Sequence, residues 1–202
     1  MGRPTNEEIE ERQNFMQVVA ECADNPSKFS EVFLGHKLFD YNIKYVNCKD
    51  RFIVYRSGRQ VGKTMSTAVK AIHFAFFAPL MLETVNKECT IVIAAPTQNQ
   101  SGIMFDRIRS LIMGNDFLKN YVVRNTQTEM TVSFLDNSGV SKIVTRATGE
   151  KGTGLRGYSP HCIIADECSF IKTDILRAFL PSGMATHARV WLTSTPFSKS
   201  GY

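Results

Sequence analysis

The spacing of apolar residues changes character near residue 50. Before that point they recur at helical intervals. Ile9, Phe15, Val18 and Val19 form an approximate stripe behind Thr5-Asn6-Glu7-Glu8, a capping box. The pattern predicts a helix from Asn6 to Cys22, broken at Asp24-Asn25-Pro26, and a shorter one from Ser27 to Leu34 closed by Gly35. Beyond residue 50 the apolar residues gather in short unbroken runs: RFIVYR (51–56), TIVIAA (90–95), HCIIA (161–165) and RVWLTS (189–194). Helical stretches lie between them: GKTMSTAVKAIHFAFF after the first, QSGIMFDRIRSLIM (100–113) after the second and TDILRAFL (173–180) after the third. Weaker alternating segments near Tyr121–Val123, Met130–Phe134 and Lys142–Thr145, with a turn at Asn137-Ser138-Gly139, predict a small antiparallel insertion.

Strands that are apolar on consecutive residues are buried on both faces, and strands alternating with helices pair in parallel. The expected fold is therefore α/β, a mostly parallel sheet with helices on both faces. Residues 1–37 are expected to form an N-terminal helical segment and residues 38–202 the α/β domain. The last predicted strand lies eight residues from Tyr202, an abrupt end that suggests a piece of something longer.

Composition narrows this picture only a little. A length of 202 residues suffices for one sizeable core. The formal charge of +5 mildly favours a polyanionic partner such as nucleic acid or nucleotide. Five cysteines, with no CxxC pair, fit free thiols in a reducing compartment better than a disulfide framework or a zinc site. Cys168 follows two acids but has no partner closer than His161, so it is expected to be a small core residue. No apolar run reaches the ~18 residues of a membrane span, and the segment 71–82 is interrupted by His73 and Pro79. Asn6 spoils a myristoylation motif after Gly2, and the N-terminus lacks a signal peptide. A soluble intracellular protein without a membrane partner is expected.

The candidate chemistry begins at Arg56-Ser57-Gly58-Arg59-Gln60-Val61-Gly62-Lys63-Thr64. In a GxxxxGKS/T loop, backbone amides wrap phosphates, the lysine reaches the β and γ oxygens, and the hydroxyl coordinates magnesium. Gly62, Lys63 and Thr64 fill the last three places. Ser57 stands where the first glycine belongs, and Gly58 comes one residue late. A turn before a helix with an exposed lysine is the plainer reading of GKT alone. The apolar strand ending in Asp166-Glu167 argues against it. The first acid of such a pair holds magnesium, and the second polarises the attacking water. Both elements sit at strand ends, where an open parallel sheet binds its ligand. Together they point to an ATPase.

Four stretches taken in order carry a family resemblance: RQVGKT (59–64), APTQNQ (95–100), GLRGYSPHCIIADECSF (154–170) and LTSTP (192–196). Over roughly residues 38–202 the chain resembles the large terminase subunit of tailed bacteriophages, the motor that packages viral DNA, in its N-terminal ATPase domain. Loops of that family usually lack the first glycine and carry an arginine. The resemblance implies a P-loop NTPase fold of the RecA/ASCE type, ATP as substrate and Mg²⁺ as cofactor. Lys63 and Thr64 resemble the Walker A lysine and magnesium-binding hydroxyl, and Asp166 and Glu167 the Walker B aspartate and catalytic glutamate. Thr193-Ser194-Thr195 looks like the coupling motif; short hydroxyls at a strand end are also ordinary β-formers. Phe39-Asp40-Tyr41-Asn42 sits where the family carries an adenine-binding segment, so Tyr41 is expected to stack on the base and Asn42 to read its edge. Asn42 is one methylene shorter than the family's usual glutamine, and Tyr41 has an alternative as a core residue. Arg59 is expected to contact nucleotide or its sensor, or else to pair with an acid and hold the loop's shape. Arg156 is the candidate for an arginine acting in trans in a ring. The implied partners are double-stranded DNA, the small terminase subunit, the portal protein and other copies of the chain, in the cytoplasm of an infected bacterial cell.

Two other readings compete. The first motor domain of a superfamily 2 helicase shares GKT, a PT-containing motif and a DE pair, but it needs a second domain of the same fold and lacks an in-loop Arg-Gln. A non-hydrolysing nucleotide-binding module has no need of Glu167. The family's nuclease activity belongs to a separate RNase H-like domain, so no DNA cleavage is expected from this chain.

Overall fold

The computed structural model describes residues 5–82, 87–149 and 157–196. Arg156 lies outside them. Three helices precede the sheet: α1 (Asn6–Ala23), α2 (Pro26–Val32) and α3 (Asp40–Asn47). The first two match the expected helices closely. Asn25 caps α2 by accepting from the Lys28 backbone amide, with Pro26 in the first turn. Helix α3 was not expected. Its eight residues are too few to show a period, and burial of Tyr45 and Val46 against the rest of the molecule holds it.

The seven strands are β1 (Phe52–Arg56), β2 (Glu88–Ala95), β3 (Val122–Asn125), β4 (Glu129–Ser133), β5 (Val140–Ala147), β6 (Cys162–Ala165) and β7 (Arg189–Ser194). Between them run α4 (Lys63–Met81), α5 (Gln98–Met113) and α6 (Thr173–Phe179). The strands form one sheet in the order β1-β7-β6-β2-β5-β4-β3. The first five are parallel, and β4 and β3 are antiparallel. The antiparallel strands therefore extend the main sheet. The segment around Lys142–Thr145 belongs to β5, which pairs with β2 in parallel and with β4 in antiparallel. At the turn before β5, a Cβ on Gly139 would come within 2.2 Å of the Lys87 carbonyl oxygen, so only glycine fits that approach.

The runs that look continuously apolar divide by period 2 between two cores. On one face Ile91, Ile93, Ile143, Cys162, Ile164 and Trp191 pack beneath α4 and α5, with Cys22, Phe29 and Phe33 of the N-terminal helices in the same cluster. On the other face Val92, Ala94, Val144, Ile163, Ala165 and Val190 pack under Ile175, Leu176 and Phe179 of α6. Strand β1 is an edge. Ile53 and Tyr55 face the helices α3 and α4, while Phe52 and Val54 remain exposed.

Helix α4 is buried along nearly its whole length, and it carries Pro79 in its last turn; proline has no N–H to give the Ala75 carbonyl, which accepts from Ser141 Oγ (2.6 Å) instead. Its buried polar groups are satisfied locally. Lys70 Nζ donates to the carbonyls of Val46 (2.8 Å) and Cys48 (2.6 Å), tying α4 to the end of α3, and burial pushes its pKa down to about 8. His73 Nε2 lies 2.9 Å from the Cys22 carbonyl, and burial lowers its pKa to about 4. All five cysteines are free, and Cys168 is 3% exposed. Among the described residues no helix is long and apolar enough to cross a membrane.

Candidate nucleotide site at the carboxyl edge of the sheet

The order β1-β7-β6 brings the loop after β1, the end of β7 and the end of β6 side by side. The Ser57 amide donates to the Ser194 carbonyl (3.3 Å), which ties the loop to β7. Within the loop Gln60 and Gly62 adopt left-handed conformations, at φ 59° and 81°. For glutamine that conformation costs roughly 1 kcal/mol, strain of the kind that gathers at ligand-binding loops. Gly62 is the N-cap of α4, and no side chain caps the helix there. The first amides of a helix lack intrahelical partners, and the dipole makes this end positive. Such an end is suited to phosphate.

Below the loop, Asn42 is 1% exposed. Its Nδ2 donates to the Val61 carbonyl (3.0 Å), and its Oδ1 accepts from the Tyr55 hydroxyl. The expected edge-reading asparagine thus has its amide engaged with the loop's underside and not open to a base. Tyr41 is exposed beside it, its ring stacked on Phe39 at 5.3 Å and 9°. Phe39 in turn lies against Gly62: a Cβ there would sit 3.7 Å from the ring.

Lys63 points inward and is 7% exposed. Its ammonium donates to Glu167 Oε1 and to Thr195 Oγ1, each at 2.8 Å. Glu167 Oε2 also accepts from the Thr195 backbone amide at 3.3 Å. Burial alone would raise the Glu167 pKa. The Lys63 and Thr195 donors outweigh it and hold the carboxyl below its ordinary value. Glu167 sits at φ 48°, a second left-handed non-glycine residue in the site. Asp166 is buried, and burial raises its pKa although Thr193 Oγ1 donates to Oδ1 (2.6 Å) and Lys63 lies near. Its Oδ1 also accepts from the Glu167 amide (3.0 Å). Ser194 Oγ lies 2.6 Å from Ser169 Oγ.

Lys63, Glu167 and Thr195 border a cavity of about 450 Å³. Gly58, Arg59 and Gln60 line it from the loop, Lys63 and Thr64 from α4, and Glu167 and Thr195 from the strand ends. Arg59 is exposed, and among the described residues no acid pairs with it. Its side chain lines the cavity. Two residues in this region escaped the sequence. Arg107 of α5 lines the same cavity, and Ser169 touches the β7 end. Arg107 lies in no motif, and Ser169, though within the stretch 154–170, carries no expected role there; the sheet order brings both here. Among the described residues no group of three or more His, Cys, Asp or Glu gathers as a metal site. Thr64 and Asp166 offer two oxygen side chains, a set that suits magnesium shared with phosphate oxygens and water.

The strand order makes this a mixed α/β fold with a seven-stranded, mostly parallel sheet, and the uncapped start of α4 and the paired acids stand together at its carboxyl edge. Residues 54–202 match the family model described as terminase large subunit, T4likevirus-type, N-terminal. The chain belongs to the large terminase subunit family. Solved structures agree on the fold. The Thermus phage P74-26 large terminase ATPase domain superposes with a TM-score of 0.71 at 22% identity, over 86% of this chain and 71% of that one. The HK97 bacteriophage large terminase gives 0.69 at 16% identity, over 86% and 37%. The large terminase of a thermophilic bacteriophage, in complex with ATP-gamma-S, gives 0.55 at 15% identity, over 78% and 38%. The chain thus spans under two fifths of the length of those two large terminases. A comparison with curated proteins finds no match.

Proposed function

We propose that this chain is the ATPase motor domain of a viral DNA-packaging terminase, hydrolysing ATP with Mg²⁺ to drive double-stranded DNA into procapsids. The observation that carries the reading is the convergence of Lys63, Glu167 and Thr195 on one cavity beneath an uncapped helix start. Family membership favours this over a helicase.

The hydrogen bonds of the site supply a mechanism. Lys63 is held by Glu167 and Thr195, so ATP phosphate must compete for its ammonium. Once Lys63 turns to the β and γ oxygens, Glu167 loses a donor that offsets its burial, so its carboxylate becomes a better proton acceptor than it is in the ion pair. It orients a water and takes up its proton as the water oxygen attacks the γ-phosphorus in line. The bond from γ-phosphorus to the β–γ bridging oxygen breaks, and ADP leaves with that oxygen. Thr64 and Asp166 would hold the magnesium, which when bound neutralises charge on the phosphates. The loop backbone of Ser57, Gly58, Gln60, Val61 and Gly62 cradles the phosphates. Arg59 stabilises charge on the transferring group, an effect on the order of 10³ to 10⁵ in rate for arginine fingers. Tyr41, exposed beside the loop, stacks on the base, and Asn42 holds the loop beneath it. Loss of the γ-phosphate lets Lys63 return to Glu167 and Thr195. Thr193, Ser194 and Thr195 carry that change to β7.

In the assembled motor the chain forms a ring with other copies, Arg156 serving a neighbour's site, and works with the small terminase subunit and the portal protein in the host cytoplasm. The direct test is Glu167→Gln. Nucleotide binding should persist while steady-state ATP turnover falls by about 10² to 10⁴. Undiminished turnover in the variant would refute the assignment. Turnover absent from the wild-type chain at every concentration would instead favour a non-hydrolysing binder.

A further inference from the structure

We propose that Arg107 of α5 contacts the γ-phosphate, gripping it from the side of the cavity away from the loop. The proposal rests on the nucleotide-binding assignment above and adds a residue to it. Arg107 lines the cavity together with Arg59, Lys63, Glu167 and Thr195. Of the charges there, Lys63 and Glu167 neutralise each other in an ion pair 2.8 Å long. Arg59 and Arg107 are left as a positive surplus, which is what a polyphosphate requires.

The neighbours of Arg107 sharpen the point. Two residues along, Arg109 is engaged, with Nη2 donating to Asp106 Oδ1 at 2.6 Å. Arg107 has no hydrogen bond or ion pair among the described residues, although an acid stands next to it in the sequence. Its backbone is held firmly: Met104, Phe105 and Ile108 are fully buried under α5, so the helix cannot turn the guanidinium away. Sheet order fixes which phosphate it meets. From the loop after β1 the strand ends run β7, β6, β2, so Thr195 and Glu167 come first and α5 last. Glu167 marks the γ end, so a residue beyond it meets the γ-phosphate and not the α or β. A guanidinium can take two phosphate oxygens at once, which a lysine cannot reproduce.

The test measures, by calorimetry with magnesium present, the affinity of the chain for ATP-gamma-S and for ADP in wild type, Arg107→Ala and Arg107→Lys. Arg107→Ala should weaken ATP-gamma-S about tenfold or more and leave ADP within about twofold, with Arg107→Lys in between. The side chain is exposed, so thermal melting should not change. Unchanged affinity for both nucleotides in a variant whose wild type binds normally would overturn the role of Arg107 alone. Equal weakening of both would overturn the assignment to the γ-phosphate. A wild-type chain that binds neither nucleotide would remove the binding assignment itself, and this inference with it.

Discussion

Two helices leave the carboxyl edge of the sheet, α4 after β1 and α5 after β2, and they begin in opposite ways. Helix α5 starts at Thr97 in an extended conformation, and the threonine Oγ1 accepts from the Gln100 amide at 3.3 Å. Helix α4 starts at Gly62 in a left-handed conformation, and no side chain caps it. Each start leaves about four amides without intrahelical partners. In α5 one of them is satisfied within the chain, and the helix serves to cover the sheet. In α4 the site facing the amides is a cavity walled by two arginines and the Lys63–Glu167 pair. Helices α3 and α6 also start without a side-chain cap, so it is the cavity facing the amides of α4, and not the missing cap alone, that sets this start apart.

The sharpest way to break the contrast is to alter the start of α4. Gly62 stands at φ 81°, and a Cβ there would come within 2.9 Å of Asn42 Nδ2. Gly62→Ala incurs about 1–2 kcal/mol for the left-handed backbone and also disturbs the Asn42–Val61 bond, together about 2–4 kcal/mol. Borne by the loop, that would weaken ATP-gamma-S by about a hundredfold. Calorimetric titration checks it; near wild-type affinity would show that the backbone at Gly62 is not what presents the amides.

The two helix starts also show what the sequence could and could not convey. Strands β2, β6 and β7 are plain in it because burial on both faces leaves an unbroken apolar run, a local signal. The GKT of α4 and the acids after β6 are plain because their chemistry needs fixed spacings. Helix α3 was not, since its eight residues are held by Tyr45 and Val46 packing on α4 and β1, contacts between parts distant in sequence. The parallel pairing of β5 with β2 was hidden for the same reason. Asn42 illustrates the limit best. The family resemblance implies that it reads a base, while in the fold its amide bonds Val61, 19 residues away, and Tyr55, contacts that no local pattern announces. Arg107 sits in an ordinary amphipathic helix, and no pattern within α5 distinguishes its face from any other exposed one.

A smaller effect is expected from Asn42→Ala, which removes the support of the α4 start without touching the cavity. The Val61 carbonyl loses its donor and the Tyr55 hydroxyl its acceptor, a cost of about 1–3 kcal/mol. Because the bonds tie the loop to α3 and β1, stability and nucleotide affinity should fall together. Denaturant unfolding and ATP-gamma-S titration of the same variant separate the cases. Lost affinity with full stability would mean that Asn42 meets the nucleotide after all.

The smallest effect belongs to the other helix. Thr97 is exposed, so Thr97→Ala removes one cap from the start of α5 and costs about 0.5–1 kcal/mol. The helix should keep its place, because Met104, Phe105, Ile108 and Ile112 anchor it to the core. Arg107 rides on the same helix nearly three turns beyond the cap, so its position should not change either. Thermal unfolding should therefore shift slightly while the affinities for ATP-gamma-S and ADP stay within about twofold of wild type. A selective loss of ATP-gamma-S affinity would mean that the α5 start, like that of α4, faces the phosphate. The start of α5 would then present its amides to the phosphate as that of α4 does, in addition to carrying Arg107.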